Sequence, residues 1–348
     1  MKKTILSLAV AAGLAASGAA FAAPTVYGNV HVSVLQFDTA NNGNMFLTSN
    51  TSSVGVKGAE DLGAGLKAIY KAEFQFDATS GGYNNLSGTT TNCVGGAIDP
   101  VCTTTNKTTS NGNALTQRDV WAGLAGSMGS VKIGTMSSNY KQKGGKVDAL
   151  YRTPAEGRGF INTQSDLHSG RATNRGRMTN TVQYSSPKMG GMQVVVNTTV
   201  SGSDDETVGA GFRYDAKQFM VYADYIDTAP SGGSISTAAT ETATKIGGKF
   251  NADAFFVGAQ FESSEDVVGY DYVHVNAGFL IDANNIITAT IGSASHINDS
   301  TQDTDGLALA YDHKMSKSTD VYVAYIDRSS DTASKEDSAF AAGLRIKF

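Results

Sequence analysis

Apolar and polar residues alternate along most of this chain. The C-terminal stretch shows the pattern plainly. Phe340, Ala342, Leu344, Ile346 and Phe348 are apolar, and Ala339, Ala341, Gly343, Arg345 and Lys347 between them are small or basic. A period of two places the apolar set on one face of a strand. A tilted strand needs about 9–11 residues to cross a bilayer, and a terminal aromatic suits the membrane interface. In a soluble sandwich the same strand would be an uncovered, aggregation-prone edge. Residues 65–77 carry the purest version. Leu66, Ala68, Tyr70, Ala72, Phe74 and Phe76 share one face, and Lys67, Lys71, Glu73 and Gln75 share the other. A lysine at the midplane of a barrel's lipid face costs roughly 2–4 kcal/mol, so the charged face is expected to line water.

The pattern predicts sixteen strands: 25–38, 52–61, 65–77, 116–124, 130–136, 177–186, 190–201, 206–215, 218–227, 244–251, 254–262, 269–281, 285–296, 303–313, 318–327 and 338–348. Short turns alternate with long polar loops, the longest being 78–115 and 137–176. The predicted fold class is all-β: a transmembrane antiparallel β-barrel of about 16 strands, with short periplasmic turns and long extracellular loops. Closure lets every backbone donor and acceptor pair inside hydrocarbon. A barrel of this size encloses an aqueous channel rather than a packed core. A β-solenoid would repeat at a fixed length, whereas these loop lengths vary widely.

The start of the chain reads as an address. Lys2 and Lys3 precede an apolar run over 5–16, and Ala20-Phe21-Ala22 is a small-x-small cleavage site. The expected division is a signal peptide over 1–22 and a barrel over 23–348. Without Lys2 and Lys3, 25 basic residues face 32 acidic ones, a formal charge of −7. That balance argues against nucleic acid as a partner, because phosphate binding needs a basic excess. Cys93 and Cys102 lie in a Thr-rich segment. In an oxidising compartment they are expected to pair, the alternative being two unlinked thiols on a loop. The five histidines, His31, His168, His274, His296 and His313, are scattered and accompany no nucleophile motif. No cofactor and no metal site are expected, and a barrel hydrolase is the weaker reading. A non-conducting adhesin is the other alternative.

Four stretches resemble the general porins of Gram-negative bacteria. They are Thr25-Val-Tyr-Gly28, the run from Ser53 through Gly63 to Glu73, Asn180-Thr-Val-Gln-Tyr-Ser-Ser-Pro187, and Gly343-Leu-Arg-Ile-Lys-Phe348. The resemblance implies an outer-membrane homotrimer with one pore per subunit and a third loop folded into each lumen. It also implies that Phe348 is read by the barrel-assembly machinery. Lys57 and Arg118 stand where the family carries pore-wall cations. Ser53 and Thr135 stand where it often carries arginine, so the basic ladder is thinned.

The candidate narrowing element is the loop 137–176, too long for an inert connection. It holds Lys141, Lys143, Lys146, Arg152, Arg158, Arg171 and Arg175 against Asp148, Glu156 and Asp166. Ala149-Leu150-Tyr151 and Phe160-Ile161 offer it apolar points of attachment, although an outward, solvated loop fits the composition as well. Inside the barrel, its charge would add to Lys57, Lys71, Arg118 and Arg177 on a wall that also carries Glu73. A narrow aqueous path between low-dielectric walls focuses that field, so a modest anion preference is expected for ions and small hydrophilic solutes. The remaining loops are acidic, with Asp299, Asp303, Asp305, Glu336 and Asp337 among others. They read as solubility, or as cation bridges to lipopolysaccharide.

Overall fold

The alternation folds as strands throughout. The computed structural model describes residues 23–38, 45–79, 86–94, 101–109, 115–168, 176–202, 206–228, 241–330 and 337–348. The strands there are β1 Thr25–Asp38, β2 Met45–Ser49, β3 Ser53–Gly63, β4 Leu66–Gln75, β5 Leu86–Val94, β6 Val101–Thr109, β7 Thr116–Gly126, β8 Gly129–Ser137, β9 Arg177–Ser185 and β10 Met192–Thr199. They continue as β11 Val208–Asp215, β12 Phe219–Thr228, β13 Glu241–Asn251, β14 Phe255–Ser264, β15 Tyr270–Leu280, β16 Asn285–His296, β17 Thr304–Lys314, β18 Thr319–Ser330 and β19 Asp337–Lys347. Seventeen of them form one antiparallel sheet.

The sheet closes on itself. β1 pairs with β19 from Asn29↔Lys347 to Asp38↔Ser338. Gly28 and Phe348 then exchange backbone hydrogen bonds of 2.9 and 3.1 Å, which seals the ladder at its last residue. β2 and β3 share one position beside β1: Val32–Gln36 pair with β2, and Thr25–Asn29 pair with β3. The break falls where Thr51 takes a left-handed φ of 57° and the Ser52 hydroxyl accepts from the His31 N–H at 3.0 Å. Counting that pair as one stave, the barrel has sixteen, and every strand expected from the alternation is present.

Two features inside the long predicted loops were not expected. Met45–Ser49 is strand rather than loop, and β5 and β6 form a separate hairpin in which Cys93 lies directly across from Cys102. Only the backbone of that hairpin is described. The pairing of the two thiols, the segment 1–22, Arg171, Arg175 and Glu336 lie outside the described residues.

The faces sort by chemistry. Val26, Val30, Leu66, Tyr70, Leu124 and Ile133 are exposed on the outside, as are Phe212, Phe250, Phe261, Ile291 and Leu309. An apolar band this continuous is a surface for lipid, not for water. Polar side chains point inward: His31, Ser33, Glu73, Arg118, Gln183, Arg213, Asp224, Lys245, Glu262 and Asn276 are all buried. No helix among the described residues is long and apolar enough to cross a membrane.

Candidate functional site

The polar interior does not remain an open tube. After β8 the chain turns into it. Ser138 caps a short helix, Asn139–Val147, its side chain accepting from the Lys141 N–H, which satisfies an otherwise orphaned helix donor. The helix and the residues to His168 lie against the inner faces of β11–β19. The third loop is therefore folded into the lumen, and two attachments hold it.

The first attachment is polar. Tyr140 donates to Glu262 Oε1 at 2.9 Å, and the Ser165 hydroxyl and N–H bond the same carboxylate. Lys245 Nζ reaches Tyr140 O and lies 2.8 Å from His168 Nε2. Arg213 Nη2 bridges Asp224 Oδ1 at 2.6 Å and Asn139 O at 2.8 Å. Burial, reinforced by the Lys245 ammonium, pushes the His168 imidazole well below its usual range, so it sits there neutral. Charges this deep are tolerated because they are paired and hydrogen-bonded.

The second attachment is apolar. Leu150, Ala155 and Ile161 pack on Ala308, Ala310, Ala324, Ile326, Ala339 and Ala341 of the wall, with Phe160 at the margin. Phe160 also meets Phe37 at 5.3 Å between centroids. The approach is so close that a Cβ added to Gly306 would collide with the Ile161 backbone. Apolar points of attachment at Leu150 and at Phe160-Ile161 match the sequence expectation.

What remains of the lumen is a water path along β1, β3, β4, β7, β8 and β9. A cavity of about 1040 Å³ occupies the periplasmic half and one of about 600 Å³ lies above it. Lys141, Tyr151 and Arg152 line both, so the path narrows at these residues. Lys71, Glu73, Lys132, Lys146 and Arg345 border the lower cavity, and Arg118, Glu156, Arg158, Asp166 and Arg177 the upper one.

The acids along this path are already engaged. Glu73 accepts from Arg118 Nε at 2.5 Å and Tyr27 OH at 2.8 Å, and pairs with Lys71 at 3.1 Å. Asp119 takes Lys71 at 2.9 Å and Arg177 at 3.0 Å. Glu156 holds Arg158 at 2.9 Å and accepts from the Arg152 N–H at 2.8 Å. Asp148 is turned into the loop, accepting from the Leu150 and Gly157 N–H groups at 2.9 and 2.8 Å. Burial pushes its carboxyl up to about 7 against the Gly157 hydrogen bond, and Glu156 adds to the rise. Burial also pushes the Lys141 ammonium well below its usual range, helped by Arg158, Arg177 and Arg118. The charge at the narrowing that burial cannot remove is that of Arg152, because a guanidinium does not lose its proton.

The structure thus gathers Lys71, Glu73, Arg118, Arg177, Arg152, Glu156, Arg158 and Asp166 around one path. Lys57 stands apart near the turn rim, directly across from Lys71 and 5.2 Å from the Tyr27 ring. The sequence reading missed Asp119, Lys132 and the seat formed by Arg213, Asp224, Lys245 and Glu262. Each lies on the polar face of a predicted strand, which was the available signal.

A closed barrel with an apolar exterior and a charged, narrowed interior defines a membrane pore. The chain belongs to the Gram-negative porin family, whose model matches residues 7–333, and its place is the Gram-negative outer membrane. It is 28% identical over 284 residues to outer membrane porin protein 32 of Delftia acidovorans, an alignment spanning 75% of this chain and 66% of that protein. The fold is shared with an anion-selective porin from Comamonas acidovorans (TM-score 0.70, 18% identity, 93% of this chain and 99% of that one). It is also shared with a trimer form of OmpT, an outer membrane protein of Vibrio cholerae (TM-score 0.63, 13% identity, 93% and 99%).

Proposed function

We propose that the protein is a general diffusion porin, passing ions and small hydrophilic solutes down their gradients with a weak preference for anions and no covalent step. The observation that carries this is the excess of cations lining the path on either side of Lys141, Tyr151 and Arg152: Lys71, Lys132, Lys146, Arg118, Arg152, Arg158, Arg177 and Arg345 face Glu73, Asp119, Glu156 and Asp166. Inside a narrow, low-dielectric passage the net sign of such a ring sets ion preference. The anion-selective Comamonas porin of similar fold supports the same sign.

Residues 1–22 act as a cleaved export signal, and Cys93 and Cys102, opposite one another, form a disulfide. Phe348, in the closing ladder, serves the barrel-assembly machinery. The functional unit is a homotrimer in lipid and lipopolysaccharide, as the trimer form of the Vibrio protein suggests. The test is planar-bilayer recording of the refolded, signal-free protein under a KCl gradient. Stepwise openings in threes and a reversal potential of anionic sign are expected. Arg152→Ala with Arg158→Ala should reduce that potential. A cationic sign in the unaltered protein would refute the charge reading, and absence of openings would refute the channel.

A further inference from the structure

The chain has one tryptophan, and it faces the water path. Trp121 borders the lower cavity. Its cross-strand partner on β4 is Lys71, and its partner on β8 is Gly134. Gly134 holds a φ of 140°, and a Cβ there would press on Trp121 Cα at 2.8 Å. Glycine at this left-handed backbone position thus lets β8 lie close against the β7 backbone, whose Val120 carbonyl would be 2.4 Å from that Cβ. Lys132 Nζ lies 4.7 Å from the Trp121 ring centroid.

The two neighbouring lysines differ. Lys71 is spoken for by Glu73 and Asp119. Lys132 lies against the indole and forms no close ion pair among the described residues, the Asp119 carboxylate acting on it from farther off. Across from it stands Gln183, and Gln193 borders the same cavity. An aromatic face, an ammonium outside any close ion pair and the Gln183 amide therefore share one wall just below the narrowing.

We propose that this wall is a binding site for small aromatic carboxylates. The arene of such a solute stacks on Trp121, and its carboxylate replaces water at Lys132, beside the Gln183 amide on the next strand. Stacking between aromatic groups adds to area burial, and an ammonium held over an indole is well placed to take an anion brought in by that contact. The proposal rests on the anion-preferring reading of the pore and names a solute class within it.

Because Trp121 is the only tryptophan, its emission reports this site alone. The folded, signal-free protein in detergent is titrated with benzoate and, separately, with cyclohexanecarboxylate, which matches its charge and approximate size but cannot stack. Saturable quenching is expected, with benzoate binding about 2- to 10-fold tighter than the saturated acid. Lys132→Gln should weaken benzoate binding severalfold, with the far-ultraviolet β spectrum of the barrel unchanged. Equal affinities for the two acids in the unaltered protein would overturn the site, as would quenching that never saturates. The KCl reversal potential of the same preparation separates the two claims. Anion preference with equal affinities removes the stacking site only, whereas cation preference removes the charge reading beneath it.

Discussion

The two halves of the inner wall use the same strand code to opposite ends. On β11–β18, inward polar groups such as Asp224, Lys245, Glu262 and Asn276 are buried beneath the loop and bound to it. On β3, β4, β7 and β8, inward polar groups such as Lys71, Asp119 and Lys132 border water. Alternation alone says only that both sets face inward. Which set conducts and which anchors is decided by where a single loop lies down. One half of the wall is the seat, and the other half is the pore.

The largest effect on the seated half is expected at Lys245. Lys245→Met removes the cation joining Tyr140, His168 and Asp224 and strands buried carboxylates. Loss of one partner of a buried pair costs about 3–5 kcal/mol. Heat denaturation in detergent should show that loss, and single-channel records should become larger and noisier as the loop leaves its seat. Ile161→Ala acts on the apolar attachment instead. Ile161 is fully buried, so roughly 2–4 kcal/mol should be lost, with noisier openings of unchanged ion preference.

A smaller effect is expected from Asp148. Its folded carboxyl titrates near 7, above the ordinary carboxylate range. Its contribution to holding the loop tip is therefore complete below that ordinary range and is lost as pH rises through about 7. Hydrogen exchange across 148–157, corrected for intrinsic rates, should increase over that window. Asp148→Asn should flatten the dependence, and an unchanged pH profile in this variant would count against the assignment. The least change is expected at Lys57, which is exposed near the wide rim. Lys57→Ala should move the KCl reversal potential far less than Arg152→Ala, since charge in a wide mouth is screened over about 8 Å at physiological ionic strength.

Much of this was legible in the sequence. The strands of β4 and β19 declare themselves because lipid and water impose a strict period of two. Leu150 and Ile161 stood out as apolar points in a polar loop. The split of the second stave was not visible, because Thr51 shows its left-handed backbone only in place. The seat was hidden for a different reason. Arg213, Asp224, Lys245 and Glu262 look like any lumen residues until the loop covers them, and only then does their pairing across β11–β14 matter. Likewise, Asp148 reads as a pore acid by composition, yet it serves the loop's own backbone.

Water running along one half of the wall only would leave the two halves unequally accessible to thiol reagents. In a background with Cys93→Ser and Cys102→Ser, single thiols are introduced as Lys132→Cys on the open side and Thr290→Cys beneath the loop, where Thr290 is fully buried. Conductance is followed while a cationic methanethiosulfonate is added. A stepwise change in current is expected for Lys132→Cys and none for Thr290→Cys. Equal rates of modification at both positions would contradict this, because the loop would then not be seated on that wall.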